Sequence, residues 1–162
     1  TEFSPPATLS LHILKQPILE PPFCHQKHAT KMVFYGETTP SYDPSLYVKC
    51  LKFIIEAYQE LDPMLPLVVN TMGFPEGVGV MLLIDTIHLV KPDIVVQIES
   101  FNKAANLPPV THEFVALEEG WMCNKTPAKD PAQKIEETHQ HELILLPTLV
   151  IQRRDFSFKL KP

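Results

Sequence analysis

The sequence predicts an α/β fold that contains a partial, doubly wound parallel sheet. Between residues 32 and 98, short runs of apolar and β-branched residues alternate with two helical patterns, in the order strand, helix, strand, helix, strand. This alternation is typical of parallel strands, which need crossover helices because a tight turn cannot join them. A length of 162 residues suits a single domain.

The first elements lie between proline-rich breaks. Residues 9–14 alternate apolar and polar side chains, which favours a strand, and residues 32–35 predict a second, short strand that ends at Gly36. Asp43 and Pro44 form a helix-start signal, because Asp caps free amides and Pro suits the first helical position. The helix that follows has apolar residues spaced three and four apart: Leu46, Tyr47, Cys50, Leu51, Ile54, Ile55 and Tyr58.

Residues 66–70 predict a buried strand, residues 80–90 a mostly buried helix, and residues 93–98 a third strand of the parallel sheet. Beyond residue 100 prolines interrupt the pattern, and we expect a polar helix over residues 132–142 and an edge strand over residues 143–151. We therefore divide the chain into residues 1–104, which carry the α/β pattern, and residues 105–162, a divergent, proline-broken tail.

Composition excludes several classes of protein. The net charge of −5 argues against binding nucleic acid by bulk electrostatics, although a nucleic-acid enzyme with a small local site stays open. The three cysteines have no framework spacing, which favours a reduced, intracellular setting. No apolar run reaches 18 residues, so we expect no transmembrane helix, and the first residues have no signal-peptide pattern.

Metal binding is a weaker hypothesis. Cys24, His25 and His28 lie close together in the sequence, and His139 and His141 form a second group. A zinc site needs three or four converging ligands, but no second cysteine pair is present and the two groups are far apart. We favour a solvated loop and expect no metal site.

The turn after the second strand of the predicted sheet is the first candidate functional site, because ligands of parallel α/β sheets gather at the carboxyl ends of strands. The turn contains Gly73, Phe74 and Gly77. Two interpretations stay open, of which the residues alone favour the first. Either the glycines only permit a tight turn, or the turn offers backbone N–H groups and an aromatic face that hold a phosphate and stack a base. A complete phosphate-binding loop with its lysine is absent from the chain.

The same turn resembles the P-loop polynucleotide 5′-hydroxyl kinases, in which a strand ends in Asn-Thr-x-Gly-Trp and a helix follows. Here residues 66–79 read PLVVNTMGFPEGVG. Residues 1–6 resemble the end of the family's Asp-x-Asp-x-Gly-Gln-x-Glu-Phe-x-Pro-Pro motif, and residues 34–47 resemble the segment after it. The resemblance covers residues 1 to about 100 and is closest to the nucleolar branch that acts in pre-ribosomal RNA processing.

The resemblance implies an RNA-binding clasp formed by Thr71, Gly73 and Phe74, with Phe74 at the position of the family's base-stacking tryptophan. It also implies that the chain is the C-terminal part of a P-loop NTPase-like domain, without the N-terminal Walker A half. The family's Walker A lysine and paired aspartates would lie upstream of Thr1, so no catalytic, cofactor-binding or metal-binding residue is assigned here. The family's arginine-bearing lid has no counterpart in residues 101–150, since the only arginines are Arg153 and Arg154.

The function expected from this resemblance is that of a fragment of an ATP- and Mg²⁺-dependent phosphotransferase. Its parent would transfer the γ-phosphate of ATP to 5′-hydroxyl ends of pre-rRNA in the nucleolus, within the nucleus, alongside other proteins of rRNA processing. Whether the chain itself is an enzyme stays open, and alone we expect it to be inactive and to hold no cofactor. The alternative is a non-catalytic half-domain that binds RNA or a partner protein, or a truncated gene product without activity.

Overall fold

The computed structural model describes residues 4–15, 28–73, 76–102, 106–125 and 130–147. These residues form eight helices and strands. In chain order they are β1 (Thr8–Leu11), β2 (Lys31–Phe34), α1 (Pro44–Gln59), α2 (Val78–Val90), β3 (Ile94–Ile98), α3 (His112–Leu117), α4 (Pro131–Glu137) and β4 (Glu142–Leu146).

The strands form two separate pairs. β1 and β2 are antiparallel, whereas β3 and β4 are parallel, with Ile94 opposite Glu142 and Ile98 opposite Leu146. The α/β class and a small parallel sheet are thus confirmed. The expectation that β2 joins the parallel sheet is wrong: its neighbour is β1, and an antiparallel pair needs no crossover helix. A short strand's sequence does not specify its partner.

The strand predicted over residues 66–70 is also wrong, since these residues belong to no strand pair in the described part of the chain. Val68 is 90% exposed and Val69 is 40% exposed. A run of β-branched residues becomes a strand only when neighbouring strands bond to its backbone. None of the described strands forms backbone pairs with this segment.

Helix α1 begins as predicted. The Asp43 carboxylate accepts a hydrogen bond from the amide of Leu46 at 2.9 Å, and Pro44 occupies the first turn. Before the helix, the buried Tyr35 hydroxyl donates to the carbonyl oxygen of Asp43 at 3.0 Å, and its ring meets that of Tyr47 edge to face. Burial raises the pKa of Tyr47 to about 12. These contacts fix the chain between β2 and α1.

Helix α2 is the centre of the packing, and its predicted burial is confirmed. Leu82 and Ile84 are fully buried, and Ile84 and Ile87 pack against Val110 and Val115. Helix α4 ends at Glu137, earlier than expected, because Thr138 has extended backbone angles, with φ −78° and ψ 140°. The Thr138 hydroxyl donates to the carbonyl oxygen of Lys134 in the last turn. The parallel pair confirms the first part of the strand expected over residues 143–151, while residues 148–151 lie outside the described residues. The boundary at residue 104 stays a prediction.

One face of the β3–β4 pair is uncovered. Ile94, Val96 and Ile98 are 52%, 51% and 73% exposed, and Ile144 and Leu146 lie opposite Val96 and Ile98 on the same face. Parallel sheets are normally covered on both faces. A contiguous apolar surface of this kind favours association.

We expect the isolated chain to self-associate or to bind a hydrophobic dye such as ANS, because this face is exposed to water. The double variant Val96→Thr, Ile98→Thr should associate less. Sedimentation at several concentrations checks both points, with Met64→Thr as the control for an exposed apolar side chain elsewhere. A monomer with a sharp, cooperative melt and no dye binding would contradict the expectation.

Candidate functional site

The 70–77 turn, defined as residues 70 to 77, leads directly into α2. Thr71 and Gly73 are exposed, Met72 is half-buried, and Phe74 and Pro75 lie outside the described residues. The amides of Gly79 and Val80 donate to the carbonyl oxygens of Glu76 and Gly77, at 3.0 and 3.1 Å. The first amides of α2 are therefore partly used within the turn itself.

The two glycines of the turn differ in their conformation. Gly77 has φ 51° and ψ −120°, which L side chains rarely adopt, so the tight-turn interpretation holds there. Gly73 has no positive φ, and a Cβ added to it would meet no atom within 4 Å. The turn's geometry therefore requires glycine at position 77 and not at position 73.

A buried carboxylate anchors the helix that carries the turn. Asp85 is 2% exposed, and its two oxygens accept hydrogen bonds from the amides of Met122 and Cys123 at 2.9 and 3.0 Å. Gly120 packs so closely on this carboxylate that a Cβ there would collide with it. Sequence reasoning missed Asp85, although a single acid inside an apolar helix was a usable signal, because buried carboxylates need partners.

The segment of residues 118–125 connects Asp85 to its surroundings. The indole N–H of Trp121 donates to the Ser45 hydroxyl at 2.9 Å, and the Lys125 ammonium lies 5.4 Å from the centre of the Trp121 ring. Burial, together with the hydrogen bond to Asp85, raises the pKa of the Cys123 thiol to about 12. A thiol with so high a pKa stays protonated at neutral pH and is a poor nucleophile or metal ligand.

Three of the described histidines, His88, His139 and His141, lie within hydrogen-bond distance of backbone carbonyl oxygens. The Nε2 atoms of His88, His139 and His141 lie 3.2, 3.1 and 2.9 Å from the carbonyl oxygens of Val115, Pro92 and Val110, and a ring that bonds to a carbonyl oxygen does so by donating its N–H. The Nε2 atom of His88 also lies 3.2 Å from Nδ2 of Asn124. His139 and His141 thus hold the chain before β4. Among the residues that the structure describes, no group of three His, Cys, Asp or Glu could hold a metal ion, and Cys24 and His25 lie outside them.

We expect the two glycines of the turn to respond differently to alanine. Gly77→Ala should lower the free energy of unfolding by about 1–3 kcal/mol, because it forces a side chain into a strained backbone conformation. Gly73→Ala should stay within about 0.5 kcal/mol of the parent, since it meets open space. Chemical denaturation of both variants, carried out on the longest soluble protein that contains this chain, measures the two free energies of unfolding. Equal losses for both variants would show that Gly73 is also required by the turn.

Comparison with known proteins places the chain in a family. Residues 1–119 match the family described as mRNA cleavage and polyadenylation factor CLP1 P-loop. The chain is 39% identical over 115 residues to Polynucleotide 5′-hydroxyl-kinase NOL9 of Bos taurus and 38% identical over 115 residues to that of Homo sapiens, each time over 71% of the chain. It is 34% identical over 139 residues, or 86% of the chain, to the NOL9 protein of Danio rerio.

These matches cover a small part of the relatives. The chain spans 16% of the length of the Bos taurus and Homo sapiens proteins and 18% of that of Danio rerio. In the described residues, no helix is long and apolar enough to cross a membrane. The family match covers well over half of the chain and includes the 70–77 turn and α2. The chain therefore belongs to the CLP1 P-loop family, and polynucleotide 5′-hydroxyl kinases of the NOL9 type are among its relatives.

Proposed function

We propose that this chain is the C-terminal part of the kinase domain of a polynucleotide 5′-hydroxyl kinase. The complete protein would transfer the γ-phosphate of ATP to 5′-hydroxyl ends of pre-rRNA, in the nucleolus and together with other rRNA-processing proteins. The observation that carries this proposal is the match of residues 1–119 to a P-loop family, together with relatives that are named as such kinases. The uncovered apolar face of the β3–β4 pair also supports the proposal, because another structural layer would have to cover it in the complete protein. An N-terminal Walker A half would supply that layer.

Within this proposal the chain contributes the RNA clasp rather than the phosphoryl-transfer residues. Thr71 presents its side chain to solvent, and the open space at Gly73 lets another molecule approach the backbone. Phe74 is assigned to base stacking by its position directly after Gly73, as the family resemblance implies. The hydrogen bonds of Asp85 to the amides of residues 122 and 123 hold α2 in place, and α2 in turn fixes the end of the 70–77 turn.

The described residues do not fit ATP and Mg²⁺. Where a phosphate-binding loop carries a lysine and then Ser or Thr, the start of α2 carries Val78, Gly79 and Val80. Two of the amides at this helix end already donate within the turn. Phosphoryl transfer depends on a lysine clamp, a metal ion and a base for the hydroxyl proton. The proposal places all three in the part of the protein upstream of Thr1.

The sequence of the source transcript distinguishes the kinase from a non-catalytic half-domain. A kinase requires codons for a Walker A loop and for Asp-x-Asp-x-Gly-Gln upstream of Thr1. If a start codon and unrelated sequence stand upstream of Thr1 instead, the proposed kinase is overturned. That result would support the half-domain that binds RNA or a partner protein.

We expect the isolated chain not to bind Mg-ATP with useful affinity, because it lacks the phosphate-binding loop and its lysine. Calorimetric titration at micromolar to millimolar nucleotide checks this, with the complete protein as the positive control. Micromolar binding by the 162 residues would reveal a nucleotide site within the chain.

The clasp is tested at Phe74 in the complete protein. Phe74→Ala should remove a stacking interaction worth ~1–3 kcal/mol, which corresponds to roughly a five- to hundredfold loss of affinity for single-stranded RNA ends. Phe74→Trp should hold or raise the affinity, because the larger ring stacks better. The matched control is Phe34→Ala, which removes an aromatic ring that lies on β2 and is 73% exposed.

RNA affinity and melting temperature are measured on the same variants. If Phe74 is a core residue instead, alanine costs ~3–5 kcal/mol of stability and tryptophan overpacks. A large fall in melting temperature for both variants, with unchanged RNA affinity per folded molecule, would contradict the clasp assignment.

A further inference from the structure

A second concave site lies at the other end of α2. A cavity of about 470 Å³ is bounded by the last turn of α2, by α3, by Asn124 and by the last turn of α4. Its volume is within the range of ~300–1,000 Å³ typical of ligand pockets. Helix α2 has 13 residues, so the length of the helix places this cavity about 20 Å from the 70–77 turn. We call it the lysine pocket, after Lys91 and Lys134 in its lining.

The charged groups of the lysine pocket are not balanced. Besides the two lysines, the lining contains His88, His139 and one acid, Glu137. In the described part of the chain the only salt bridge joins His112 to Glu113, so neither lysine has a carboxylate within 4 Å. The Glu137 carboxylate instead accepts a hydrogen bond from the side-chain amide of Gln133 at 2.8 Å. Two lysines without a carboxylate partner among the described residues therefore line one cavity of an acidic chain.

The position of Lys91 is unusual for a lysine. It caps α2 in the left-handed conformation, with φ 52° and ψ 62°, where glycine is the usual residue. The helix dipole favours a cation in the last turn of a helix, and this explains the sign of the charge on Lys91 and Lys134. It does not explain why both lysines line the same cavity, whose one acid, Glu137, forms an ion pair with neither of them.

The walls of the lysine pocket are held in place. Asn124, with a positive φ, donates through Nδ2 to the carbonyl oxygens of Glu118 and Val115 at 2.9 and 3.1 Å. The rings of His88 and His139 are fixed by their bonds to the carbonyl oxygens of Val115 and Pro92. A preformed pocket loses little conformational freedom when a ligand binds, which favours affinity.

We propose that the lysine pocket binds a phosphate group, either free phosphate or a phosphodiester of RNA. Lysine ammonium groups recognise phosphate as point charges, and hydrogen bonds to charged groups are stronger than those between neutral groups. The cavity is larger than one phosphate and leaves space for the rest of a nucleotide. The inference does not depend on the proposed kinase function, since the pocket lies at the opposite end of α2 from the 70–77 turn.

The test uses the complete protein in ATP-free buffer and the double variant Lys91→Gly, Lys134→Gln. Lys91→Gly removes an ammonium group together with the Cβ of a left-handed residue, so the melting temperature should be unchanged or higher. The control, Lys49→Gln with Lys52→Gln, removes the same charge from the exposed side of α1. Inorganic phosphate is titrated by calorimetry, and we expect at least a tenfold weaker affinity in the double variant than in the control.

A short single-stranded RNA separates the two sources of phosphate. If RNA displaces phosphate and its affinity also falls at least tenfold in the double variant, the ligand is the RNA backbone. If only phosphate binding falls, the ligand is free phosphate or a small phosphate ester. Equal affinities of the double variant and the control for both probes would overturn the proposal, and that result would leave the Phe74 experiment unaffected.

Discussion

The described C-terminal part of the chain depends on the buried carboxylate of Asp85. A carboxylate removed from water is costly unless its oxygens are hydrogen-bonded, and two backbone amides supply those bonds. They fix residues 120–124 against α2, and Trp121 and Asn124 then extend the connection to α1 and α3. Removing the carboxylate would take away the acceptor of the Met122 and Cys123 amides, so the 70–77 turn and the lysine pocket both depend on Asp85.

Local signals in the sequence predicted α1 and α2 well, whereas no helix was expected at α3 (His112–Leu117) and α4 was expected to extend further than Glu137. Asp43 and Pro44 set the start of α1, and the apolar run of α2 ended before Pro92, because caps and periodicity act within one or two turns. Strand pairing was predicted poorly, since it is decided between residues far apart. The pattern at residues 32–35 did not reveal β1 as the partner, and the pattern at residues 66–70 did not reveal that no described strand pairs with it.

The features of the candidate sites also divide into those that local sequence predicts and those that depend on tertiary packing. Gly77 has the positive φ that the turn predicted, whereas Gly73 does not, and the assignment of Thr71, Gly73 and Phe74 to an RNA clasp stays a prediction from the family resemblance. Asp85 could have been suspected as a lone acid in an apolar helix. The lysine pocket could not, because Lys91 and Lys134 line one cavity only through the tertiary packing of α4 against α3.

The parallel register of β3 and β4 has a consequence for protein synthesis. Ile94 leaves the ribosome long before its partner Glu142, with α3 and α4 translated in between. At ~5–20 residues per second, the interval is roughly 2–10 s. During that time β3 has apolar side chains and an unpaired backbone edge, which other chains can bind. Chaperones that recognise short apolar strands would have their longest opportunity at this segment of the nascent chain.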